Sequence, residues 1–229
     1  MSTRPTTLPA RIKQTDVPDL YKATAPVYDL WGRLTETKAR QRCLELARIR
    51  DGETVLEVAV GTGLTFAEIL KRNPTGRNEG IDLTPAMLER AEQRAAQTGA
   101  RNYQLRVGDA YQLEFADNTF DLVVNNFMFD LLPEKDFSVV LAEFKRVLRS
   151  PDPFSGRPGG RLVLVNMAQG ERWYNGLWKI VYRINPAWIG GCRSVALLND
   201  VRSLGFQDTR REYLSQMTFP AEIVYGVKS

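Results

Sequence analysis

The run VLEVAVGTG (55–63) sets a carboxylate, Glu57, just ahead of a Gly61–Thr62–Gly63 turn. Two more acids follow: Asp82 closing NEGIDL and Asp109 inside VGDAY. A glycine turn lets backbone approach a ligand closely. A multiply charged phosphate would be repelled by Glu57. The dinucleotide fingerprint needs a third glycine where Phe66 stands, and a phosphate-binding loop needs a Gly-Lys-Ser/Thr ending that GLTF lacks. A ligand with a cationic end and a nucleoside end suits these residues better. S-adenosylmethionine carries an ammonium, a sulfonium and a ribose diol, and no phosphate. Glu57 would attract its ammonium, Asp82 its diol, and Asp109 its adenine amino group, with the Ala110 amide donating to the ring. Each feature alone is common for structural reasons. Their order after successive strands is what points to one ligand.

The elements that must position these residues are legible as a strand and helix alternation. ETVLEV, NEGIDL, NYQLRVG, FDLVVNN and GRLVLVN are short apolar runs of strand type. LTFAEILKR has helical spacing, and TPAMLERAEQRA starts with Thr84 as cap and Pro85 at the first helical position. EKDFSVVLAEFKRVL puts Phe137, Val140, Leu141, Phe144 and Leu148 on one face. Such alternation predicts an α/β fold, a doubly wound parallel sheet with helices on both faces. A helix is expected around Ser194–Leu204, and FQDTRREYL and EIVYGVK predict an antiparallel C-terminal hairpin. The turn SPDPFSGRPGG (150–160) is expected only to connect. In open sheets of this kind, ligands bind outside the carboxyl ends of the strands, beside the first one.

The chain has 229 residues, enough for one domain with a sizeable core. Residues 1–16 are expected to form a mobile arm and 17–229 a single domain. The polar start shows no apolar stretch of the secretory kind, so cytoplasmic residence is the expectation. Cys43 and Cys192 lie far apart and are expected to be reduced. The absence of histidine removes every triad that depends on one and every histidine metal site. No metal is expected.

The motifs resemble those of class I S-adenosylmethionine-dependent methyltransferases, and within them the ubiquinone/menaquinone-biosynthesis branch. VLEVAVGTG, GIDLTPAML (80–88), VGDAYQLEF (107–115), DNTFDLVVNNF (117–127) and RVLRS…PGGRLVLVN (146–166) carry the resemblance. It implies a Rossmann-like sheet and S-adenosylmethionine as cofactor, with S-adenosylhomocysteine as product. It places Glu57, Ala59, Gly61, Thr62 and Gly63 around the methionine end. Asp82 would take the ribose, Leu83 would lie against adenine, and Asp109 and Ala110 would read its edge. Asn125 or Asn126 would flank the methionine moiety, and Tyr21 and Tyr28 would close over the cofactor. An alanine at position 59 fits this branch, implying that the turn depends more on its later glycines. Asn166, where quinone enzymes often carry an acid, and the long 150–160 turn are departures on the acceptor side.

Methyl transfer from a sulfonium needs alignment and desolvation more than acid–base help. Asp130 and Tyr28 are the carboxylate and phenol best placed in sequence for a base, but no catalytic residue is assigned. Residues 171–204 are expected to form an acceptor-side lid. Trp173, Trp178 and Trp188 lie there, with Arg172, Lys179 and Arg183 among them. Past residue 155 the chain holds ten basic residues against five acidic ones. Aromatic and basic residues together predict peripheral contact with an anionic membrane and a small lipophilic acceptor, either a quinol precursor or an amine-headed lipid. A soluble metabolite, or a non-catalytic binding module, is the alternative. The NNFM segment lacks the Asn-Pro-Pro-aromatic run of amino-directed base methylases, so nucleic acid is not an expected partner.

Overall fold

A computed structural model describes residues 34–171, 175, 178, 180, 184 and 192–229. The expected mobile arm, Tyr21, Tyr28, and most of the tryptophan-rich segment, including Trp173, Lys179 and Trp188, lie outside the described residues.

Seven strands form one sheet in the order β3-β2-β1-β4-β5-β7-β6. They are β1 (Thr54–Val58), β2 (Arg77–Asp82), β3 (Tyr103–Val107), β4 (Leu122–Asn126), β5 (Arg161–Met167), β6 (Phe206–Gln216) and β7 (Phe219–Lys228). The first five pair in parallel, and β7 runs antiparallel to both β5 and β6. The central strand β4 buries Leu122, Val123, Val124 and Asn125, as a strand covered on both faces must. The strand order reverses at β1, so the carboxyl ends of β1, β2 and β4 open one crevice.

The helices described in full are α1 (Thr37–Ala47), α2 (Leu64–Arg72), α3 (Pro85–Ala96), α4 (Phe137–Val147) and α5 (Leu198–Ser203), with a 3-10 turn at Glu134–Asp136. Two cores lie on opposite faces of the sheet. Leu56, Val58, Val123, Leu162 and Leu164 pack with Phe144 and Val147 of α4. Val55, Leu122, Val124, Val163 and Val165 pack with Ala39, Cys43 and Ala47 of α1. Strand alternation sends neighbouring residues to these two sides. Glu57 therefore shares the α1 side with Val55, and Asn126 shares it with Val124.

The expected helix at Ser194–Leu204 is shorter. Residues 192–197 have no regular structure, and α5 begins at Leu198. Two backbone bonds compete with helix there: Val195 N–H donates to the Met167 carbonyl at 3.0 Å, and Leu197 N–H to Glu222 Oε1 at 3.1 Å. The 150–160 turn closes on itself through an Asp152–Arg157 bridge.

Candidate cofactor site

The turn after β1 holds three left-handed residues: Ala59 (φ 57°), Gly61 (φ 53°) and Gly63 (φ 80°). Gly63 is doubly constrained. A Cβ there would sit 2.8 Å from Ala91 Cα on α3, so the turn and α3 can meet only at a glycine. At Gly61 a Cβ would meet nothing within 4 Å, so only the conformation demands glycine. Ala59 accepts the same strain without a clash. The first position thus requires left-handed backbone as the later ones do, and alanine survives there because only strain opposes it. Ala59→Gly should relieve roughly 1–2 kcal/mol of strain and lose roughly 0.4–1 kcal/mol through the unfolded chain. The melting temperature is expected to rise by about 1–4 °C, read by calorimetry. A fall would show that the Ala59 methyl is held by packing.

Asp82 ends β2 nearly buried and spans two loops. Its Oδ2 accepts from Gly61 N–H at 2.8 Å and its Oδ1 from Thr84 N–H at 2.9 Å. Burial raises its pKa and these backbone donors oppose the rise. A cavity opens beside it, lined by Val58, Ala59, Gly61, Asp82, Leu83, Thr84, Met87, Gly108, Asp109, Ala110, Tyr111, Asn126, Phe127, Met128, Leu131 and Leu132. Leu83 is half exposed at 41%, presenting an apolar face to the opening. Asp109 is exposed, and its Oδ1 accepts from Tyr111 N–H at 3.0 Å. Tyr111 is fixed in turn by donating its hydroxyl to Asp136 Oδ2 at 2.9 Å.

Seven of the residues expected to meet the cofactor therefore share this lining: Ala59, Gly61, Asp82, Leu83, Asp109, Ala110 and Asn126. Thr62, Gly63, Glu57 and Asn125 do not line it. Asn125 is fully buried and donates to the Val58 carbonyl at 2.9 Å, bracing β4 against β1. Asn126 instead reaches the cavity, and its Nδ2 donates to Glu57 Oε1 at 3.3 Å and to Thr65 Oγ1 at 3.2 Å.

Glu57 lies directly behind Asn126, 2% exposed. Its Oε2 has no hydrogen-bond partner among the described residues, and neither has Asn126 Oδ1. Burial pushes the Glu57 pKa up to about 8, opposed by the Asn126 bond and by the Arg40 charge. Two buried polar oxygens without a partner, one on the cavity-lining Asn126 and one on Glu57 behind it, are costly unless a partner arrives. An ammonium arriving at Asn126 would supply a donor there, and its charge would favour the ionised form of Glu57 behind it. The residues thus fit the cationic end of S-adenosylmethionine, and Asp82 and Leu83 fit its nucleoside end.

Sequence spacing did not indicate the wall opposite Asp82. Phe127, Met128, Leu131 and Leu132 leave β4 and give the cavity an apolar side. The apolar run FMFDLL directly after the asparagines was the available signal. Asp130, within that run, is fully buried, does not line the cavity, and accepts from Met167 N–H at 3.0 Å. Burial raises its pKa well above the usual carboxylate range. It braces β5 rather than facing the ligand. Among the described residues no cluster of Cys, Asp or Glu could hold a metal ion.

Comparison with known proteins bears on this crevice. A methyltransferase-domain model matches residues 55–151, from β1 past α4. That match agrees with the resemblance to S-adenosylmethionine-dependent methyltransferases carried by the motifs. Demethylmenaquinone methyltransferase of Lactobacillus johnsonii is 32% identical over 165 residues, covering 69% of this chain and 64% of that protein. Arsenite methyltransferase of Halobacterium salinarum is 33% identical over 124 residues, covering 54% of this chain and 29% of that protein. The chain therefore spans less than two thirds of the length of these relatives. Magnesium protoporphyrin IX methyltransferase of Synechocystis, solved with bound S-adenosylhomocysteine, superposes with a TM-score of 0.71 at 15% identity. That match covers 95% of this chain and all of the other, and it shows a shared fold.

Proposed function

We propose that the protein transfers a methyl group from S-adenosylmethionine to a small lipophilic acceptor, a quinol precursor or an amine-headed lipid. In this reading Glu57 takes the donor's ammonium together with Asn126. Asp82 takes the ribose diol, Leu83 lies on the adenine, and Asp109 with Ala110 reads its edge. The chain's own groups align the donor and exclude water, which suffices for an activated sulfonium. The titratable groups lining the cavity, Asp82, Asp109 and Tyr111, are each engaged in loop hydrogen bonds, and no base is assigned.

Exposed large apolar side chains support the lipophilic reading, with Met217 at the β6–β7 turn among them. Leu34, Ile180, Ile184 and Met217 are large apolar side chains exposed at 45%, 54%, 66% and 66%. Gln216 holds the Leu34 segment to the end of β6, donating to the Leu34 carbonyl at 2.7 Å and accepting from Lys38 N–H at 2.7 Å. Trp178 docks on that turn: its indole donates to the Thr218 carbonyl at 2.8 Å, and its ring lies edge-on to Phe219. Ile180 and Ile184 stand four residues apart, the spacing of one helical face, and an exposed apolar face commonly marks a membrane or partner contact. The basic excess past residue 155 adds attraction to anionic headgroups. No described helix is long and apolar enough to cross a membrane, so the contact would be peripheral. The demethylmenaquinone enzyme's name supports a quinol-type acceptor; the arsenite enzyme's name supports a soluble one.

Anionic vesicles test the peripheral contact. The wild type is expected to co-sediment at low salt and release at high salt, because screening shortens the reach of charge. Ile180→Asp with Ile184→Asp should abolish sedimentation without moving S-adenosylhomocysteine affinity. Absence of vesicle binding at every salt concentration would leave the soluble acceptor as the better reading.

A further inference from the structure

Arg94 stands on α3, on the far side of the glycine turn from the cavity. Its Nη1 donates to the Thr62 carbonyl and, at 2.9 Å, to Thr62 Oγ1. Thr62 is the turn's middle residue and is buried. The other two residues of the turn have their own holds. Gly61 N–H is taken by Asp82, and Gly63 N–H donates to the Val60 carbonyl at 2.9 Å. Ala91, one turn before Arg94 on the same helix, is the residue against which Gly63 packs. One face of α3 thus meets the turn twice, with a methyl under Gly63 and a guanidinium on Thr62.

We propose that Arg94 is a positioning residue for the methyl donor, fixing the peptide planes of Gly61–Thr62–Gly63 at the orientation that receives it. The proposal rests on that turn being the donor's site. Arg94 does not line the cavity, so it acts through Thr62. A charge-assisted bond to a buried carbonyl is a strong constraint on a short segment of left-handed backbone. Without it Thr62 keeps a buried carbonyl and hydroxyl that lose this donor, and the turn is free to rotate them toward another.

Arg94→Met and Arg94→Lys in the full chain test this. Calorimetric titration with S-adenosylhomocysteine should show Arg94→Met weakened about tenfold or more. Arg94→Lys should recover most of the loss, because an ammonium still reaches the Thr62 carbonyl. Thermal unfolding of the ligand-free variants separates stability from affinity. If Arg94→Met melts lower but binds within about twofold of wild type, or if lysine restores stability and not affinity, the residue is only structural and the proposal is overturned. Amide resonances of Gly61 and Gly63 in the wild type are read in parallel. If S-adenosylhomocysteine binds without moving them, the turn is not the donor's site, and the proposal falls with that reading rather than by itself.

Discussion

Raising the pH from about 5.5 to about 7 should tighten S-adenosylhomocysteine binding roughly thirtyfold, about tenfold per unit. The cause is Glu57. In the ligand-free protein burial pushes its pKa up to about 8, so the carboxyl is protonated through this range. The unfolded chain ionises it at the ordinary value of 4.5. The folded protein therefore holds a proton that the unfolded chain has released. The stability that this group contributes is fully present below 4.5 and is lost as pH rises toward 8. A bound ammonium reverses the preference, because its charge favours the ionised form. Binding then expels a proton, and affinity rises with pH until the ligand-free carboxyl is itself ionised. Titration calorimetry in buffers of different ionisation enthalpy should read about one proton released per ligand near pH 6.5. Glu57→Gln should bind with no proton release and no pH slope. A flat profile in the wild type would remove Glu57 from the ammonium.

Asp82→Ala is expected to cost both stability and affinity. The carboxylate holds the Gly61 and Thr84 amides, one on each oxygen. Its loss leaves two largely buried N–H groups unpaired, at roughly 1–3 kcal/mol each. The ribose diol loses a charged acceptor as well, roughly 1.5–3 kcal/mol, or about 10- to 150-fold in affinity. Asp82→Asn keeps the shape and one acceptor oxygen, so it should fall between alanine and the wild type in both measures. Thermal unfolding and calorimetric titration read the two effects separately. A stability loss with unchanged affinity would make Asp82 a brace for the loop alone.

The parallel sheet was legible because buried strands read as short apolar runs and the helices between them carry period and caps. The whole of β1, its turn and α2 fell within one such pattern. Helix α1 was not read, and its buried face explains why: Ala39, Cys43, Leu44 and Ala47 are mostly small and leave a weak stripe. Helix α5 starts later than local spacing predicts because Val195 and Leu197 bond to β5 and β7, a tertiary preference that no local spacing contains. Between Asn125 and Asn126, sequence left the choice open. Strand alternation decides it once the buried faces are known, putting Asn126 beside Glu57 and Asn125 in the bracing position. Arg94 was invisible for another reason. It lies 32 residues from Thr62, and only the packing of α3 on the turn brings them together.

The acceptor is the central claim, and one assay addresses it directly. Lipid and aqueous extracts are each incubated with the protein and methyl-labelled S-adenosylmethionine, then compared by mass spectrometry. The label should enter a small component of the lipid extract, faster when vesicles are anionic, and Ile180→Asp with Ile184→Asp should slow it. Label appearing only in an aqueous metabolite, at a rate indifferent to vesicles and to those substitutions, would contradict the lipophilic acceptor.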